Sequence, residues 1–173
     1  MLRLLYPRLY VDSLLDIPLD RLEEQNIKAF VMDLDNTITE WNSNHIREEF
    51  QEWFSLVKQR GFKVCILSNN RQQRIMDVAR ALDIPFVHRA KKPRRGGYYK
   101  AISLMGVNPQ ETAVIGDQIF TDILGGKRAG LFTILVVPIA SREFMGTKVS
   151  RTLEYFVLRC LKKDISRGSF PDF

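Results

Sequence analysis

The chain has 173 residues, 45% of them apolar and 27% charged, enough to bury the core of one domain and unlike a disordered or fibrous protein. A net charge of +6 favours anionic partners: phosphorylated substrates, nucleic acid or an acidic membrane surface. The two cysteines, Cys65 and Cys160, sit in apolar surroundings without metal-ligand spacing, which argues against a disulfide framework and for a reducing, cytoplasmic setting.

Residues 1–12 carry Leu2, Leu4, Leu5, Leu9 and Val11 among Arg3, Tyr6 and Arg8. They read as an arm packed on the domain in preference to a short membrane-surface anchor. Pro7 and Arg8 cut this stretch too short for a signal peptide. The longest apolar run, residues 131–140, is about half the ~20 residues a membrane span needs. A short helix over residues 17–24, with Pro18 in its first turn, completes an N-terminal unit of residues 1–26.

The core is expected over residues 27–140. A first strand spans 27–34. Ile46, Phe50, Trp53, Phe54 and Val57 then follow helical spacing, and Gly61 ends that helix. A strand at 62–67 stops at Ser68, Asn69 and Asn70. A helix carrying Ile75, Val78, Ala79 and Leu82 leads to a short strand at 85–88. The basic cluster of residues 91–97 precedes a helix at 98–105. A strand at 111–115 runs into Gly116 and Asp117, a helix covers 119–129, and a strand at 132–137 is stopped by Pro138. Continuous Val/Ile/Leu strands alternating with helices predict a single doubly wound, Rossmann-like α/β domain with a parallel sheet of about five strands and helices on both faces. An amphipathic helix within 141–165 (Val149, Leu153, Phe156, Val157, Cys160, Leu161) closes the core, and residues 166–173 form a tail.

Ligands bind outside the carboxyl ends of strands in such a sheet. Here those ends carry Asp33 and Asp35, then Ser68, Asn69 and Asn70, then Lys91 and Lys92, then Asp117 with Asp122 beyond. A buried strand that ends on two carboxylates needs something at its tip, because unpaired buried charge costs several kcal/mol. Each tip alone has a plain explanation as a turn, a helix cap or a surface lysine. Together, acids, a hydroxyl and a lysine at one rim make a site for Mg²⁺ and phosphate.

In order and spacing, Asp33, Asp35, Thr37, then Ser68 and Asn69, then Lys92 and Pro93, then Gly116, Asp117 and Asp122 resemble the motifs of the haloacid dehalogenase (HAD) superfamily of phosphohydrolases. The resemblance covers about residues 27–137. More narrowly it is to the subclass III phosphatases of the YqeG type, which are related to phosphatidylglycerophosphate phosphatases; the N-terminal Tyr6 to Ile17 segment and residues 92–94 carry that part. It implies Asp33 as the nucleophile that forms an aspartyl-phosphate, and Asp35 as acid and base, its main-chain carbonyl also on the metal. It implies Ser68 and the Asn69 amide as phosphoryl donors and Lys92, chosen over Lys91, as the bridge between nucleophile and phosphoryl group. Asp117 and Asp122 would complete the Mg²⁺ shell. Thr37, through its loop, and Arg94 and Arg95, on the basic rim, are further expected at the phosphate.

The gaps between motifs each hold only core elements, leaving no room for a cap domain. An open site favours a bulky or lipid phosphate, such as phosphatidylglycerophosphate, over a free sugar phosphate. Together with the basic rim and the apolar arm, it favours peripheral contact with an anionic membrane. Trp41 and His45 follow the first motif without an assigned role, and His88, Gly96 and Gly97 are given structural ones. A receiver-like phosphorylation switch is the first alternative, though it would place its acceptor at the third strand, where this chain has lysines. The second is an RNA- or ribosome-binding protein on the same core, supported by net charge and the basic C-terminal helix.

Overall fold

The computed structural model describes residues 2–70 and 72–140. The helix expected within 141–165, Cys160 and the tail at 166–173 lie outside the described residues.

Six parallel strands form one sheet: β1 (Leu9–Val11), β2 (Ala29–Met32), β3 (Lys63–Leu67), β4 (Phe86–Val87), β5 (Thr112–Gly116) and β6 (Phe132–Val136), in the spatial order β1-β6-β5-β2-β3-β4. The sheet therefore has one strand more than the sequence suggested. The sixth is β1, part of the segment read as an arm. Three residues between Pro7, Arg8 and Asp12 are too few to show strand patterning. Leu9 and Val11 are buried and paired with Ile134 and Val136 of β6, and the Arg8 amide donates to the Thr133 carbonyl at 2.8 Å. Both edges, β1 and β4, are very short, which limits the unpaired backbone offered to other chains.

Side chains alternate along β2. Phe30 and Met32 enter a core shared with α1 (Leu19–Glu24), α2 (Glu48–Gln59) and α3 (Gln72–Leu82). Ala29 and Val31 enter a second core under α4 (Arg95–Met105) and α5 (Leu124–Ala129). Both faces are covered, so the strand reads as an unbroken apolar run. In the first core Phe30 stacks on Phe62, ring centroids 4.8 Å apart, and on Trp53 at 6.1 Å. α4 begins earlier than its apolar spacing suggested, taking in Gly96 and Gly97. A Cβ on Gly97 would lie 2.9 Å from Ala90, so this glycine serves the close packing of α4 on the loop after β4.

The chain leaves β2 towards β3 and β4 on one side, then returns to β5 and β6 on the other. The direction of winding reverses between β2 and β5, and that switch point opens a crevice at the carboxyl ends of the strands. Register sets what faces it. Met32 pairs with Ile66 on one side and Ile115 on the other, so Asp33, Ser68 and Asp117 all emerge at the same end of adjacent strands. Among the described residues the β2–β3 and β3–β4 connections hold one α-helix each, with no separate cap.

Candidate active site

The first strand tip is built by a tight turn. The Asp33 amide continues the ladder by donating to the Ile115 carbonyl at 2.9 Å. The Leu34 carbonyl then accepts from the Ile38 and Thr39 amides at 3.0 and 3.1 Å, and the Asn36 amide donates to the Thr39 carbonyl at 2.7 Å. Asn36 closes this turn at φ 59, a left-handed conformation that Asn tolerates better than most side chains. The second and third tips interlock. The Ser68 amide donates to the Val87 carbonyl, the Ala90 amide to the Ser68 carbonyl and the Arg89 amide to the Asn70 carbonyl, at 3.0, 3.0 and 3.2 Å.

Lys92 crosses from this loop into the crevice. Its ammonium donates to Asp33 Oδ1 at 2.6 Å and to Asp122 Oδ1 at 2.7 Å, and its side chain is 5% exposed. Lys91, the rival lysine, is exposed. The Asn69 side chain anchors the Lys92 backbone: its Oδ1 accepts from the Lys92 amide at 2.8 Å and its Nδ2 donates to the Lys92 carbonyl at 3.4 Å. Sequence reasoning placed the Asn69 main-chain amide at the phosphate, but gave no hint of this side-chain clamp.

Asp33, Asp117 and Asp122 are buried, and one carboxylate oxygen from each lies within 4.8 Å of the others. Thr37, also buried, donates to Asp117 Oδ1 at 3.5 Å from beneath. Asp122 comes from a single π turn, Ile119–Ile123, that precedes α5; such turns are frequent at functional sites. Its Oδ2 accepts from the Gln118 amide at 3.1 Å. Tyr98, wholly buried on α4, donates to the Thr121 carbonyl at 2.9 Å and braces the turn. Gly116 lets the carboxylate through, since a Cβ there would stand 2.4 Å from Asp122 Cγ.

Three carboxylates against one ammonium leave two surplus negative charges in a buried space. Burial raises the Asp33 carboxyl to about 7, Lys92 opposing this and Asp122 adding to it. Burial works against the charge on Lys92, yet Asp122 and Asp33 outweigh it and hold the lysine protonated. A divalent cation would offset that surplus, and hard carboxylate oxygens suit Mg²⁺ or a similar ion. The residues present therefore fit a divalent metal.

The Asp35 carboxylate lies outside this cluster of three. Arg74 and Asn70 donate to its two oxygens, and the Asn42 amide reaches Oδ1 at 3.3 Å. Neither Arg74 nor Asn70 had a role in the sequence reading. One signal was present: Arg74 is a cation in the first turn of α3, where the helix dipole disfavours it.

A cavity of about 470 Å³ lies above these groups, lined by Asp33, Asp35, Ser68, Lys92, Trp41 and Gln118 among others. Ser68 is buried, and its Oγ accepts from the Asn70 amide at 3.2 Å. Arg94 and Arg95 do not line this cavity. Both are exposed at the start of α4, with Arg94 at its N-cap. His45 is exposed, and the His88 ring lies beside Phe86, centroids 6.4 Å apart.

Comparison with known proteins gives the same reading. A family of haloacid dehalogenase-like hydrolases matches over residues 40–130. The chain is 39% identical to a probable phosphatase, YqeG, of Bacillus subtilis, over 91% of either protein. It is 30% identical to the mitochondrial phosphatidylglycerophosphatase GEP4 of Saccharomyces cerevisiae, over 78% of this chain and 82% of that protein. A cobalt-bound deoxy-D-mannose-octulosonate 8-phosphate phosphatase from Haemophilus influenzae shares the fold at 17% identity, with a TM-score of 0.54 over 80% of this chain and 91% of its own. By family match, relatives and fold together, the chain belongs to the haloacid dehalogenase-like hydrolases, as one of the family's phosphatases.

Proposed function

We propose that the protein is a Mg²⁺-dependent phosphomonoesterase that works through an aspartyl-phosphate on Asp33. The observation that carries this reading is the contact of the Lys92 ammonium with both Asp33 and Asp122, beside a buried three-carboxylate cluster. Asp33, Asp117, Asp122 and the Asp35 main-chain carbonyl would hold Mg²⁺, which supplies positive charge where phosphate and carboxylate meet. An Asp33 oxygen attacks phosphorus, the bond to the leaving oxygen breaks, and Asp35 gives that oxygen a proton. Water then attacks the acyl phosphate as Asp35 takes its proton back, freeing inorganic phosphate and the Asp33 carboxylate. Lys92 offsets charge on the transferring group, and Ser68 and the Asn69 amide donate to its oxygens.

For the substrate, we infer a phosphomonoester on a bulky or lipid scaffold, with phosphatidylglycerophosphate first. Support comes from the activity named for the yeast relative, from a cavity over which the described residues place no cap domain, and from Trp41, 40% exposed among its lining residues. Exposed Arg89, Lys91, Arg94 and Arg95 follow β4, at the sheet end where an anionic, membrane-borne substrate would arrive. The contact proposed is peripheral, at a cytoplasmic face; among the described residues no helix is long and apolar enough to cross a membrane. Dephosphorylation of phosphatidylglycerophosphate in detergent micelles, compared with p-nitrophenyl phosphate, tests the substrate. A higher kcat/KM for the lipid is expected, and an equal or lower value rejects it.

A further inference from the structure

We propose that Arg74 is the positioning residue of Asp35, aiming its carboxylate at the oxygen of the leaving group. The inference rests on the phosphatase reading above and adds to it a residue outside the strand-tip motifs.

Arg74 projects from the first turn of α3, which holds no acid, and Asp77, three residues on, accepts from Asn44. Its Nη2 donates both to Asp35 Oδ1 and, at 3.1 Å, to the Ser43 carbonyl. From the other side Asn70 Nδ2 donates to Asp35 Oδ2. The ion pair is largely sheltered, with the Arg74 side chain 19% exposed and that of Asp35 13%. Both bonds leave the same Nη2, whose two hydrogens lie in the guanidinium plane, so the pair of acceptors fixes the plane's direction as well as its distance from Asp35.

Asp35 stands two residues from Asp33, beside a cluster that already carries surplus negative charge. Its carboxylate lines the cavity, yet it stays out of the Lys92 contacts that engage Asp33 and Asp122. Arg74 and Asn70 supply the competing donors that keep it apart. Arg74 also ties the residues between Asp35 and α2 to α3, a link repeated where Asn44 Nδ2 donates to Asp77 at 3.3 Å. With that loop fixed, Asp35 is held at one orientation over the cavity instead of swinging towards Lys92.

A positioned acid matters in proportion to how badly the leaving oxygen needs a proton. Phenyl phosphate and p-nitrophenyl phosphate share the aryl phosphate frame and differ by a para nitro group, but nitrophenolate departs readily unprotonated and phenolate does not. Their kcat/KM values report the steps through departure of the leaving group, so later hydrolysis of the phospho-enzyme does not enter. Arg74→Met should lower kcat/KM on phenyl phosphate about tenfold or more while changing the nitrophenyl value less than about threefold. Arg74→Lys should give an intermediate ratio and covers the case in which Arg74→Met does not fold. On an Asp35→Asn background, where the ratio is already displaced, Arg74→Met should move it no further than about twofold. Equal losses on both substrates, or an undiminished effect on the Asp35→Asn background, would overturn the proposal. If the wild-type protein hydrolyses neither ester, the phosphatase reading fails instead, before Arg74 is tested.

Discussion

Lys92 and Asp33 are 59 residues apart in the chain, and the lysine ammonium lies 2.6 Å from the carboxylate oxygen. The contact reaches over β3, from the loop after the edge strand β4 to the tip of β2. Its lysine is shared with Asp122, 2.7 Å away, so one cation joins two of the three buried acids.

Removing that cation should be severe. Lys92→Met leaves buried carboxylates uncompensated and takes away positive charge at the transferring group. It should lower kcat on p-nitrophenyl phosphate by roughly 10²–10³-fold and depress the Tm of the metal-free protein. Lys91→Met, at the exposed neighbouring position, should leave both unchanged. Steady-state kinetics and thermal melts of the two variants check this, and a reversed order would transfer the role to Lys91.

Stability of the metal-free protein should carry the imprint of Asp33. Burial raises its carboxyl from 3.8 to about 7, so the folded chain binds this proton more tightly than the unfolded chain. Such a group withdraws stability as pH rises between those two values. Relative to Asp33→Asn, which keeps an oxygen for Lys92 but has no charge to bury, the wild type should lose Tm from pH 3.8 to about 7 and level off above. Melts in chelator across that range test the sign. Added Mg²⁺ should restore the wild type at neutral pH and do less for the variant.

Gly116→Ala should act through Asp122. The added Cβ would sit 2.4 Å from a carboxylate whose two oxygens are held by Lys92 and the Gln118 amide. Accommodating it should cost about 1–3 kcal/mol and weaken metal binding. Calorimetric titration with Mg²⁺, beside a denaturant melt, separates the two effects; unchanged metal affinity would remove Asp122 from the metal's surroundings.

The continuous apolar strands made the doubly wound fold legible, and acids at their ends marked the crevice. Lys92 was separable from Lys91 only by resemblance; in the structure burial distinguishes them. β1 was missed because a three-residue edge strand has too few positions to show a period. Arg94 and Arg95 look like phosphate ligands in a basic run, but α4 begins at Arg95 and turns both to the outside. Arg74 lies outside the strand tips altogether, and Asn70 stands at a strand tip but nothing in the sequence gives it a role. Their partner Asp35 is 39 and 35 residues away, and side-chain pairing at that separation leaves no local pattern in a sequence.

Asp33 as nucleophile is tested most directly by a Mg²⁺ titration of p-nitrophenol release from p-nitrophenyl phosphate, run on the wild type and on folded Asp33→Asn. The expected result is wild-type activity that is absent in chelator and saturates with Mg²⁺, with no turnover by Asp33→Asn at any Mg²⁺ concentration. Metal-dependent turnover surviving in Asp33→Asn would contradict the aspartyl-phosphate route.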